Sequence, residues 1–251
     1  MLRNLSVIGL AVIAIGSVQA DVVDVTVDGP VSGSGSVTVA CGNSTPGCVG
    51  GLFTSDYNFS DTNTALGPFT DSGSVTSPIF NGATASSFAS QDVSSTIESL
   101  GFLLMGGHSA ISPSYTASES DAVTVGFDLT ESSMVQLTGV VFGPAFGASD
   151  AGELLDSGGN VILAIPTIGS PFASVLLAPG SYELKGSVSG GGSGAAFESI
   201  NVTDFTLSLE AKFTPVATPE PRGVVLTALL ASMLGGFAAA RRFTAISTRQ
   251  S

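Results

Sequence analysis

The chain has 251 residues with 20 acidic and 7 basic side chains, a net charge of −13, 32 Gly, 12 Pro, 2 Cys, 1 His and no Trp. So few cations exclude nucleic-acid binding by counterion release; so few cysteines exclude a multi-Cys zinc or disulfide scaffold; and a single His leaves carboxylates as the main raw material for catalysis. The 43% hydrophobic content is too high for disorder, and the length suits one domain, or two small ones, once targeting ends are removed.

Residues 1–20 read as a secretory signal peptide. Arg3 precedes an apolar run over 5–16, and Ser17-Val18-Gln19-Ala20 puts small residues where a signal peptidase reads, so cleavage is expected after Ala20. An uncleaved anchor is the alternative, but about 12 apolar residues fall short of the roughly 20 that a bilayer core requires.

The body, residues 21–213, holds 19 of the 20 acidic residues (all but Glu220 at 220) and only two cations, Lys185 and Lys212, for a net −17. Such charge keeps an exported protein soluble and repels anionic polysaccharide unless divalent cations bridge the two. Apolar positions recur with period two at Val23, Val25, Val27 and again at Val37, Val39, Cys41, the mark of half-buried strands. Cys41 and Cys48 enclose Gly42, Asn43, Pro46 and Gly47, residues of a tight loop, and a disulfide is the expected outcome in an oxidising compartment. A redox-active or metal-binding pair is the competing reading.

Residues 41–91 are rich in Ser, Thr, Gly and Asn and read as loops and edge strands that complete the same sandwich. The stretch 91–107 is open: Ile97, Leu100 and Leu104 fit a helix face, whereas Gly101 and Gly106-Gly107 oppose one. His108 beside Ser109 suggests a base next to a nucleophile. Adjacent residues of an extended chain point to opposite sides, however, and no Ser stands in a Gly-x-Ser-x-Gly elbow, so a catalytic His108 is not expected.

Val123, Val125, Phe127 and Leu129 alternate with Thr124, Gly126, Asp128 and Thr130 in a half-buried strand. Asp150, Glu153 and Asp156 fall in one expected loop with Asn160 beyond, a set of oxygens that suits calcium, although the spacing lacks the alternation of an EF-hand and a solvated turn competes. Glu119 with Asp121 is a weaker pairing. Short β-branched runs at Val161–Ile165 and Phe172–Leu177 read as buried strands, with turns at 156–160 and 178–181. Tyr182, Leu184, Gly186 and Val188 continue the alternation, a Gly-rich loop follows, and Phe205, Leu207, Leu209, Ala211 and Phe213 alternate with Asp204, Thr206, Ser208, Glu210 and Lys212 in the last strand.

Many short strands with Gly-rich turns imply an all-β antiparallel β-sandwich. Residues 122–213 resemble the jelly-roll sandwiches of secreted bacterial accessory modules, where a phrase such as Leu177-Ala178-Pro179-Gly180-Ser181-Tyr182 leads into a late strand. A glycosidase would need paired carboxylates in a cleft flanked by stacking rings. Without Trp, the rings on offer for sugars are Tyr57, Tyr115 and Tyr182, the last alternating with core positions.

Residues 214–222 form a Pro-rich linker, 223–240 an apolar run about 27 Å long as a helix, just enough to span, and 241–251 a basic tail that the positive-inside rule keeps cytoplasmic. Pro219-Glu220-Pro221, the apolar run and Arg241-Arg242, in that order and with a signal peptide at the other end, resemble the PEP-CTERM sorting signal of Gram-negative bacteria. An ordinary C-terminal anchor is the alternative. The resemblance covers about the last 30 residues of the chain. It implies a membrane-embedded exosortase as transient partner, which recognises Pro219, Glu220 and Pro221 and releases or transfers the body, in bacteria that make extracellular polysaccharide.

The expectation is therefore a non-enzymatic protein exported by the Sec pathway. It passes through an inner-membrane-anchored precursor to the cell surface or matrix, where it has a structural or adhesive role. A polysaccharide- or calcium-binding module is the alternative, and a hydrolase the third reading.

Overall fold

The computed structural model describes residues 21–41, 51–79, 82–142, 152–165 and 172–216. Ala20, Cys48, Asp150, Pro219, Glu220, Pro221, Arg241 and Arg242 lie outside them, as do the signal segment and the apolar run at 223–240. The chain divides into two units, Met1–Pro215 and Val216–Ser251, and the first holds every strand described here.

That unit is all-β, with no helix among the described residues. Its strands are β1 (Val22–Ala40), β2 (Leu52–Asn63), β3 (Gly67–Thr76), β4 (Thr84–Ser95), β5 (Ser99–Leu129), β6 (Ser133–Phe142), β7 (Gly152–Asp156), β8 (Val161–Ile165), β9 (Phe172–Leu177) and β10 (Gly180–Pro215). Every pairing is antiparallel, within one 10-stranded sheet whose main path runs β2-β1-β5-β10-β6-β9.

Two strands organise the fold. β5 and β10 are 31 and 36 residues long, several times the usual strand, and each changes neighbours along its length. The first part of β5 pairs with β4 and with the second part of β10, whereas its second part pairs with β1 and with the first part of β10. Between the two regimes the register breaks at Gly194/Ala196 and Ala196/Ile200, opposite Pro113. Proline cannot donate to the ladder, and the irregular residues let both strands turn together. The result is two layers sharing β5 and β10, one ordered β3-β4-β5-β10-β6-β9 and the other β2-β1-β5-β10-β7-β8.

The layers face each other in a sandwich-like arrangement. Phe127 of one meets Phe213 of the other edge-on at 5.3 Å between ring centroids. Gly186 stands where a Cβ would lie 2.5 Å from Phe102 and 3.0 Å from Leu207, so the closest approach requires glycine. Leu100, Leu104, Val125, Leu137, Leu154, Leu184 and Leu207 are fully enclosed in one apolar cluster. The alternation at Val123–Leu129 and Phe205–Phe213 supplies that core as the sequence implies.

The structure sharpens the reading of three stretches. In 41–91 the expected edge strands are present as β2 and β3, and with much of β4 they are longer and more regular than expected, their polar composition reflecting one face turned to water. The ambiguous stretch 91–107 is strand on both sides of a tight turn, held where the Thr96 hydroxyl accepts from the Glu98 and Ser99 amides. Gly101 there faces the Leu209 carbonyl, with a Cβ position only 2.7 Å away. The Gly-rich segment after Val188 lies within β10 rather than in a loop.

Candidate functional site

Where β5 and β10 turn, the interior between the layers changes from apolar to polar. Counting back from Val123 along the inner face of β5 gives Asp121, Glu119, Ala117 and Tyr115, all buried. On the first part of the same strand the inner positions run Phe102, Leu104, Gly106, His108 and Ala110. The bend folds these rows together, so residues far apart on one strand become neighbours.

Asp204 completes the group through a β-bulge. Thr203 pairs with Gly107 and Phe205 with Gly106, which leaves Asp204 as the extra residue. Asp204 and Phe205 are then both buried, although consecutive strand residues ordinarily point to opposite faces. The alternation that assigned Asp204 to the polar face fails at this residue for that reason.

Asp204 Oδ2 lies 2.5 Å from His108 Nδ1. With the ring proton on Nδ1, that nitrogen donates to Asp204 and Nε2 keeps its lone pair, with the Tyr115 hydroxyl 3.4 Å away. Glu119 adds a second carboxylate, 2% exposed. No donor reaches either of its oxygens. Burial, with the adjoining Asp204 carboxylate, pushes Glu119 up to about 9, and a proton on Glu119 is what turns its contact with Asp204 into a hydrogen bond. One ligand atom each from His108, Glu119 and Asp204 lies within 4.8 Å of the other two.

Glycines make the room. A Cβ on Gly190 would stand 2.5 Å from the Asp204 Cβ and 3.2 Å from Glu119 Oε1, and one on Gly192 2.6 Å from His108 Nε2. Alongside, Gln91 Nε2 donates to Asp121 Oδ1 at 2.6 Å and to the Ala122 carbonyl at 2.9 Å. Burial still pushes Asp121 up to about 7, against the pull of that bond, and its Oδ2 lacks a donor. Tyr57 donates to Ser87 at 2.9 Å, and burial, aided by the Glu119 charge, raises its phenol.

Of the calcium candidates, Asp150 lies outside the described residues, and Glu153 and Asp156 do not converge. Glu153 and Asp156 stand on strand β7, not in a loop, three positions apart and hence on opposite faces. Asp156 Oδ1 accepts from the amides of Gly158 and Asn160, both at 2.9 Å, and Oδ2 from the Asn160 side chain at 2.9 Å. Those bonds, Asn160 first, hold its carboxyl below the usual range and show an acidic turn clamp. None of the three tyrosines offers a free ring to a sugar. Tyr57 and Tyr115 point inward, while Tyr182, half-buried, packs on Phe127 and donates to the Ala178 carbonyl at 2.8 Å. Cys41 is disulfide-bonded.

The group His108, Glu119 and Asp204 was not expected from the sequence. Part of it was legible, since extending the Val123–Leu129 alternation backward already puts Asp121 and Glu119 on the inner face. Fold and site together define an all-β antiparallel protein that encloses an imidazole–dicarboxylate group at the bend of its two longest strands. No protein-family model, no curated protein and no solved structure matches the chain.

Proposed function

We propose that this chain is an exported, non-enzymatic protein of the bacterial cell surface or extracellular matrix, with a jelly-roll-like sandwich as its adhesive body. An exosortase-type enzyme acts at Pro219-Glu220-Pro221, and Arg241 and Arg242 hold the tail in the cytoplasm until then. The observation that carries the adhesive reading is a ladder of hydroxyls on the outer face of β1, β2 and β5. Ser32 meets Ser120 at 2.9 Å, Ser34 meets Ser118 at 3.0 Å, Ser36 meets Thr116 at 2.9 Å and Thr38 meets Thr54 at 3.0 Å. A hollow of about 510 Å³ opens in this face, lined among others by Ser32, Ser34, Ser118, Ser120 and Ser189, with Glu119 also on its wall.

Hydroxyls of this kind donate and accept without charge, so the face suits a hydroxylated polymer even on an acidic body. The oxidised Cys41 supports residence in an oxidising compartment.

The test has two arms. Mass spectrometry of the protein recovered from its host should find a C-terminus near Pro221, and Glu220→Ala should leave the tail attached; an intact tail on the wild-type protein removes the sorting reading. Binding to host exopolysaccharide should weaken when Ser34 and Ser118 are replaced by Leu. Equal retention of wild type and variant, or none by either, removes the adhesive reading.

A further inference from the structure

We infer that His108, Glu119 and Asp204 form a binding site for one divalent transition-metal ion of the zinc class. Their ligand atoms all lie within 4.8 Å of one another, close to the roughly 3.3 Å spacing that donors take around an ion with bonds of about 2.0–2.2 Å. A small inward movement of side chains closes the difference. The set is one imidazole and two carboxylates, a combination suited to zinc and its neighbours, whereas calcium takes six to eight oxygens.

Glu119 is the observation that points to a ligand. It is buried to 2% exposure, aims at the other two residues, and receives no donor at either oxygen. An acceptor pair left so costs free energy unless a proton or a cation satisfies it. A dication also balances the site, since two carboxylates with a neutral imidazole carry two negative charges. The glycines at 190 and 192 keep the strand from filling the space around Glu119 and His108.

Binding exchanges a proton for the metal. The proton on Glu119 leaves, the ring proton passes from Nδ1 to Nε2, Asp204 Oδ2 gives up its hydrogen bond to Nδ1, and the 2.5 Å separation opens to about 3.3 Å as both atoms turn to the ion. Nε2 then donates that single ring proton to the Tyr115 hydroxyl, now 3.4 Å away, which orients the ligand from behind.

The experiment uses the full-length chain in detergent, stripped with a chelator and then titrated with zinc(II) and cobalt(II) near neutral pH. One ion per chain is expected, with proton release on binding, a rise in melting temperature, and visible cobalt ligand-field bands. Glu119→Gln and His108→Gln should each weaken binding by more than about 100-fold, beyond the loss typical of an outer-shell change, while Asp156→Asn leaves it unaltered. Far-UV circular dichroism verifies that each variant is folded. Failure of the wild-type protein to retain zinc or cobalt overturns the proposal, as does a folded Glu119→Gln variant that binds as tightly as wild type.

Discussion

Gly192 of β10 lies directly against the ring of His108, so close that a Cβ would stand 2.6 Å from both Cε1 and Nε2 and 3.3 Å from the Tyr115 hydroxyl. His108 is held from the other side by Asp204 and has little freedom to retreat. Gly192→Ala should therefore destabilise the body by about 1–3 kcal/mol, the usual cost of overpacking. Urea unfolding of the variant and wild type gives the comparison, and equal midpoints would show that the ring yields.

In metal-free protein, stability should fall as pH rises. Folding raises Glu119 from 4.5 to about 9 and Asp121 from 3.8 to about 7. Below the ordinary carboxylate range both states are protonated and nothing is lost. Between the ordinary and raised values the unfolded chain releases protons that the folded chain keeps, so each increment of pH favours unfolding until the raised value is passed. Melting temperatures measured in chelator should decline from pH 4.5 towards 9, and Glu119→Gln should remove the upper part of the decline. A variant profile parallel to wild type would place the titration elsewhere.

Asp156 clamps the turn that follows β7. Its Oδ1 accepts from the backbone amides of Gly158 and Asn160. Calcium should leave the melting temperature unchanged, whereas Asp156→Ala should lower it through the lost turn bonds. Differential scanning calorimetry with and without calcium reads both effects, and a calcium-dependent rise would refute the assignment.

Phe127 ties the two layers together through Phe213, at 5.3 Å, and Tyr182, at 5.9 Å. Truncation to Ala leaves a cavity bounded by both layers, with an expected loss of about 3–5 kcal/mol. The same change at Phe197, 79% exposed, should fall within about 0.5 kcal/mol of wild type. Chemical denaturation of the pair tests whether the layers depend on this contact.

Much of the molecule follows from its amino-acid order. Period-two alternation is a local property of an extended backbone, so Val123, Val125, Phe127 and Leu129 announce both a strand and its buried face. The turn at 156–160 is equally local, because Asp, Gly and Asn satisfy their own backbone within a few residues. Lengths and partners of strands were not legible, since pairing depends on contacts across the whole chain. Polar 41–91 looks like loop until its partners supply the hydrogen bonds that make it sheet.

The buried group required the tertiary structure. His108 and Asp204 are 96 residues apart and meet only because β5 and β10 turn together. A bulge that no local pattern reveals then rotates Asp204 inward. Alternation assigns a side chain to a face, but the bend in a strand determines which faces enclose one another, and that is decided by long-range register.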